Sequence, residues 1–220
     1  MNKEVKLVGI VIAIVVVIVG IGIFLMSKSP QPTNPSTASS EDKAAAVARS
    51  TPRVRGKLDS NITVIEFGDM QCPACASANP AVDQLFKDYG DKVKFEFRHY
   101  PLPQHPNAFA GADAAEAAGD QNKFWEMVDA IYTNQKQWET ATDPKPVFRQ
   151  LAANIGLDAE KFDKSISAQA NRSRINQDKN DGDTLGNPGT PTFYVNGEQI
   201  FQGGVADVKK KIDTLLTQNK

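Results

Sequence analysis

Cys72-Pro73-Ala74-Cys75 holds both cysteines of the 220-residue chain, directly after Val64-Ile65-Glu66-Phe67-Gly68-Asp69-Met70-Gln71. Two thiols three positions apart, entering a helix after a hydrophobic strand, form a dithiol that can open and close as a disulfide. Cys72 at the helix start meets unpaired backbone N–H groups and the positive end of the peptide dipoles, which stabilise a thiolate. Its pKa is expected below the free-thiol value of about 8.5, making it the exposed sulfur that forms a mixed disulfide, with Cys75 one turn further in as the resolving thiol. In the turn between them, Pro73 supplies no N–H and fixes the first turn, while Ala74 is small and uncharged. Glu66 interrupts an otherwise apolar strand, where a carboxylate is costly without a role or a partner.

The elements that would carry this dithiol follow from pattern. Ile62 to Phe67 reads as a short central strand, apolar on both faces apart from Glu66. Val82, Leu85, Phe86 and Tyr89 share one helical face ended by Gly90, and Pro80 within that helix predicts a bend or break. Val93, Phe95 and Phe97 alternate with charged residues, which completes a βαβ unit. The next eighty or so residues read as helices. Asn107 to Ala118 is alanine-rich, Asp120 is placed to cap a helix carrying Phe124 to Tyr132, and Asp143-Pro144 and Asp158 mark further starts. Thr192 to Val195 and Gln199 to Phe201 flank Asn196-Gly197, a tight hairpin signal, and Val205 to Leu216 gives a last amphipathic helix.

Leu7 to Met26 carries no charge. As a helix it would rise roughly 30 Å, enough for one bilayer crossing. Lys3, Lys6 and the amino terminus precede it and Lys28 follows, which favours a short cytoplasmic segment (1–6), a retained anchor (7–26) and everything later outside. The alternative, a cleaved signal peptide, fits its length and missing small-x-small site less well. The Pro/Ser-rich stretch after it reads as a flexible linker, taken as 27–56 because Pro52 stops any short helix among the alanines. The remainder, 57–220, suffices for one substantial core. With both cysteines in the pair, that core must stand on packing without a structural disulfide. A net charge of −1 gives no reason to invoke nucleic acid, and Lys209-Lys210-Lys211 reads as a solvated helix face.

Glu66-Phe67-Gly68-Asp69-Met70-Gln71-Cys72-Pro73-Ala74-Cys75, Gly189-Thr190-Pro191-Thr192-Phe193 and Gly203-Gly204 together resemble the DsbA-like thiol-disulfide oxidoreductases of the thioredoxin superfamily, in their membrane-anchored extracytoplasmic form. The resemblance runs from about Gly56 to the C-terminus. It implies an α/β thioredoxin fold with a helical insertion over about 104–183, preceded by one transmembrane helix and a flexible linker. It also implies an enzyme that introduces disulfides into reduced exported polypeptides and is recharged by a membrane quinone-linked reoxidase of DsbB or VKOR type. No cofactor and no metal enter this reading, since zinc would need further ligands and His99 and His105 are the only histidines. A single folded unit with no evident dimerisation domain reads as a monomer.

By the same resemblance, Thr190-Pro191 is the cis-proline element that offers its backbone to a bound polypeptide, and Glu66 is the buried acid below the dithiol. Glu66 would relay a proton to Cys75; a structural hydrogen bond or ion pair is the alternative. His99 and His105 are read as local structural or surface residues and Trp125 as core, while Met70, Tyr100 and Phe109 are candidates for an apolar docking surface. Ala74 stands where the strongest oxidants of the family carry histidine, so reductase or isomerase activity stays open. A non-enzymatic anchored protein-binding module is the alternative of a different class.

Overall fold

Ser39 begins the described fold. Its hydroxyl accepts from the Asp42 N–H while the Asp42 carboxylate takes the Ser39 N–H at 2.9 Å, a reciprocal cap that starts helix Ser40–Ala48 (α1). Strand Val54–Gly56 (β1) follows and pairs antiparallel with Lys94–His99 (β3). The linker expected over 27–56 is therefore wrong from Ser39 onward. Its arginines are the physical reason, because they find buried partners far away in sequence. The structure is a computed structural model that describes residues 38–200 and 204–218. The anchor expected at 7–26, the earlier part of the linker, Phe201 and Gly203 lie outside the described residues.

Thr63–Gly68 (β2), Pro73–Tyr89 (α2) and β3 form the βαβ unit, with β2 and β3 parallel. The helices Ala108–Gly119 (α3), Phe124–Thr133 (α4), Lys145–Asn154 (α5), Ala159–Ser167 (α6) and Arg172–Leu185 (α7) follow. Thr192–Val195 (β4), Glu198–Ile200 (β5) and Val205–Gln218 (α8) complete the described chain. The sheet is mixed, in the order β1-β3-β2-β4-β5. Asn196 and Gly197 both take positive φ, 49° and 81°, as a tight hairpin turn between β4 and β5 requires.

Side-chain alternation sorts the sheet into two faces. Val64, Phe95, Phe193 and Val195 pack with α2 and α8 through Val82, Leu85, Val208 and Ile212. Phe97, on the same face, joins a second core made by α3, α4 and α5 around Phe124, Met127, Trp138 and Phe148. The other face carries Ile65, Phe67 and Tyr194, and also the buried Glu96 and Arg98.

A layer of ion pairs covers that second face. Arg98 is fully buried and donates to the Ala46, Val47 and Arg49 carbonyls at 2.5, 3.0 and 2.5 Å, closing the C-terminal end of α1. Arg49 pairs with Asp178 and with Asp181 at 2.5 Å, both on α7. On the other side of the segment, Arg53 grips Glu116 at 2.6 Å, and Glu116 also meets Arg174 and, at 3.1 Å, His99.

Two local expectations change. Asp120 does not cap α4, which starts after Lys123; its carboxylate instead accepts from Ser165 and Asn171 at 3.1 and 2.7 Å, tying the end of α3 to the α6–α7 junction. Helix α2 runs through Pro80 without a break. Pro80 sits on the exposed side, so water can take the carbonyl that loses its partner while Val82, Leu85 and Tyr89 anchor the buried side.

Candidate functional site

The parallel β2 ends at Gly68 beside the end of β3, and the chain must turn before α2 can pack back over the sheet. Asp69 makes that turn. Its buried carboxylate accepts from the Gln71 and Leu102 N–H groups at 2.7 and 2.9 Å and from His105 Nδ1 at 2.6 Å. Its carbonyl accepts from the Cys72 N–H at 3.0 Å. The helical segment grips the same loop. Gln71 donates to the Glu139 carbonyl at 2.7 Å and accepts from the Asn107 N–H at 2.6 Å, while Gln135 donates to the Met70 carbonyl at 3.2 Å. Gly111 of α3 lies so close that an added Cβ would stand 2.7 Å from Met70 Cβ.

Cys72 is then the N-cap of α2, with Pro73 in the first helical turn. The Cys72 thiol donates to the Thr190 carbonyl at 3.3 Å, and the Thr190-Pro191 peptide is cis. Both cysteines are present as free thiols. Cys72 is only 6% exposed and Cys75 0%, so the expected contrast between an exposed and a sheltered sulfur is narrower than the sequence implies.

The two sulfurs nonetheless ionise very differently. A hydrogen bond from the Cys75 thiol is the largest influence pulling Cys72 down from 9.0 to about 5; partial burial opposes it, and Thr190 and the Cys75 and Ala74 N–H groups add to it. The Thr190 hydroxyl, buried and without a protein partner, is the group of that residue able to donate to a thiolate, whereas its carbonyl suits the thiol. Cys75 is pushed well above its ordinary range, first by burial, then by donating a hydrogen bond to Cys72 and by the charge of Glu66.

Glu66 lies in register with Phe97 and Phe193 on the face below α2. Burial raises its pKa from 4.5 to about 7, with Arg55 pulling it down and Asp83 pushing it up. Tyr132 is buried in the same environment; its hydroxyl donates to the Asp69 carbonyl at 3.3 Å, and burial holds its proton firmly. The structure thus brings Cys72, Cys75, Thr190 and Pro191 together at the helix start, flanked by Pro73 and Ala74, with Glu66 beneath. Among the described residues no group of three or more His, Cys, Asp or Glu is arranged to hold a metal.

Met70 and Tyr100 do not form a docking surface: they are 1% and 8% exposed, Met70 under α3 and Tyr100 bonded to Asp183 at 2.9 Å. Phe109 is half-buried beneath the Arg172 guanidinium. Asp69 and Gln71, which hold the loop before Cys72, and Arg55, whose charge acts on Glu66, are residues that the sequence reading missed. Asp69 carried one usable signal, an Asp two residues before an N–H that its side chain can take as a local turn. Arg55 and Gln71 carried none, since their partners are distant in sequence.

The family model described as thioredoxin matches residues 48–214. Among curated proteins, the Na(+)/H(+) antiporter NhaA 1 of Mycolicibacterium gilvum is 36% identical over 149 residues, which are 66% of this chain and 23% of that protein. The chain thus spans less than a quarter of the length of that relative. Among solved structures, oxidised BdbD from Bacillus subtilis superposes with a TM-score of 0.67 at 25% identity, over 75% of this chain and 92% of BdbD. DsbA of Chlamydia trachomatis has the same fold, with a TM-score of 0.69 at 16% identity over 87% of this chain and 97% of its own.

Proposed function

The chain belongs to the thioredoxin family, and from that premise we propose that it is a protein thiol-disulfide oxidoreductase that introduces disulfides into exported polypeptides. The observation that carries this reading is the asymmetry of the dithiol, Cys72 drawn down to about 5 and Cys75 held well above its ordinary range. In the oxidised enzyme a substrate thiolate attacks Cys72 Sγ. The Cys72–Cys75 bond breaks, a substrate–Cys72 bond forms, and the electron pair leaves on Cys75, which takes up a proton. A second substrate thiolate then attacks the substrate sulfur of the mixed disulfide and releases Cys72 as a thiolate. Two electrons have passed from substrate to enzyme, and the stabilised Cys72 thiolate favours this direction.

The two electrons must leave through a membrane quinone-linked oxidase of DsbB or VKOR type. The apolar run at 7–26 supports an anchor that keeps the domain outside the cytoplasm and near such a partner. Residues Cys72, Cys75 and Glu66 do the chemistry, and Thr190 and Pro191 hold the substrate backbone. A Cys75→Ala chain expressed in cells should accumulate substrates bonded to Cys72, and Cys72→Ser should capture none. Capture by neither variant would leave only a binding module. The net direction is read from the thiol state in intact cells: a largely oxidised pair supports the donor, a largely reduced pair the reductase that Ala74 leaves open.

A further inference from the structure

Building on the thiol-disulfide reading, we propose that Arg55 of β1 is a positioning residue for the proton step, a cation fixed beside Glu66 to stabilise the carboxylate left when Glu66 gives its proton to Cys75. Arg55 is in register with Phe95 on β3, and Phe95 with Val64 on β2. Side chains two apart on a strand share a face, so Arg55 and Glu66 look onto the same space. Both line a small cavity of about 10 Å³ with Trp125 and Phe193, about the room of one water.

Several contacts hold the guanidinium in place. It lies 4.3 Å from the Phe86 ring centre and 4.0 Å from that of Trp125, between the two aromatic residues, and donates to Asp83 at 3.0 Å. A guanidinium so stacked retains its direction better than an extended, hydrated lysine would. Its Nε is buried and has no protein partner, so the cation is not consumed by Asp83 alone.

The other charges around Glu66 do not do this work. Asp83 of α2 is a carboxyl group and not a cation, and so is Asp129 of α4, bonded to Asn79 at 2.9 Å and raised in pKa by burial and then by Asp83. Glu96 of β3 is matched by Lys94 at 2.9 Å and by Arg98 at 3.2 Å, so those two cations are already engaged. Cys75 becomes negative only in the step itself. When a substrate thiolate displaces Cys75, the proton moves from the Glu66 carboxyl to Cys75 Sγ, and Glu66 recovers it from solvent afterwards. Arg55 favours the carboxylate, so it eases this donation and keeps Glu66 from binding its proton too tightly.

The test is a carbon-13 titration of the Glu66 carboxyl in the reduced full-length chain, with the release of Cys75 followed against pH in parallel. Arg55→Met, which keeps much of the stem and removes the charge, should move the Glu66 midpoint up by about one pH unit. It should slow Cys75 release several-fold near neutrality and have no further effect in a Glu66→Gln background. Trp125→Leu leaves every charge in place and removes one of the two rings that hold the guanidinium, so it should move the midpoint the same way by less. It remains informative if Arg55→Met does not fold. A midpoint unmoved in the folded variants, or an equal rate loss with and without Glu66, would overturn the proposal. The titration needs no turnover, so it stands or falls separately from the disulfide chemistry.

Discussion

Reducing the Cys72–Cys75 disulfide should stabilise this protein, and more so as pH rises. In the reduced folded chain Cys72 titrates near 5 rather than 9.0. For a group whose folded pKa is depressed, the stabilisation is fully present above the unfolded value and is lost as pH falls through the folded one. The window is therefore pH 5 to 9. At pH 7 about two pH units favour the thiolate, each about 1.4 kcal/mol. Cys72 is 6% exposed, and residual screening at the dithiol reduces the sum to about 1–2.5 kcal/mol. Expressed as a potential, this makes the disulfide about 20–50 mV more oxidising than an unperturbed pair. Glu66 has the opposite sign, since its raised pKa removes stability progressively as pH rises from 4.5 to about 7, a loss that persists at higher pH. It is present in both redox forms, so its direct part largely cancels in their difference.

The assay is thermal unfolding of the reduced and oxidised full-length protein from pH 4 to 8. The reduced-minus-oxidised difference in Tm should grow from pH 5 to pH 8, by about 2–4 °C per kcal/mol for a domain of this size. Thiolate absorbance of the reduced protein gives the midpoint directly. Cys75→Ala removes the largest stabilising hydrogen bond and should raise that midpoint by at least about one pH unit. A flat difference in Tm, or a wild-type midpoint near 8.5, would refute the asymmetry from which the function was inferred.

Two further perturbations address the scaffold. Arg98→Met should cost about 3–5 kcal/mol in urea unfolding, because it strips Asp181 and Glu96 of a cation and leaves the last carbonyls of α1 without their donor; a loss under about 1 kcal/mol would show that water substitutes for the guanidinium. Gly111→Ala places a methyl 2.7 Å from Met70 Cβ and should cost about 1–3 kcal/mol, with a changed Cys72 midpoint as the active-site loop is displaced; an unchanged midpoint would show that the loop does not depend on α3.

The dithiol, the βαβ unit, the hairpin and the last helix were legible because each is written in local pattern: a motif, a period, an Asn-Gly pair. Helix α7 was not. Its sequence, Arg172 to Leu185, buries Ile175, Asp178, Asp181 and Gly182. That is a helical stripe, but one made of carboxylates, and a reading based on apolar periodicity passes over it. The stripe becomes intelligible only once Arg49 and Arg98 lie against it, over a hundred and over eighty residues away in sequence. The segment before β1 was lost for the same reason from the other side. The site residues divide similarly: Cys72, Cys75, Thr190 and Pro191 belong to motifs, while Arg55 and Gln71 act through contacts made only in the fold.

These ion pairs also decide where the chain leading into the dithiol domain cannot flex. Asp178 and Glu116 have fully buried side chains, and Arg49 and Arg53 of one short segment are among their partners. Arg55 of the same segment reaches Asp83 on the dithiol helix. Peeling residues 39–56 away would leave buried carboxylates short of their cations, at a cost of about 3–5 kcal/mol for each broken pair, comparable in sum with the whole stability of an ordinary domain. The segment therefore cannot serve as a hinge. A protease at low concentration should spare the bonds between Arg49 and Arg55, and a domain released by cleavage before Ser39 should keep the Cys72 midpoint of the intact chain. Cleavage within 49–55 at low protease would mean that the arginines do not hold the segment down, and the link drawn here from β1 to Glu66 would lose its support.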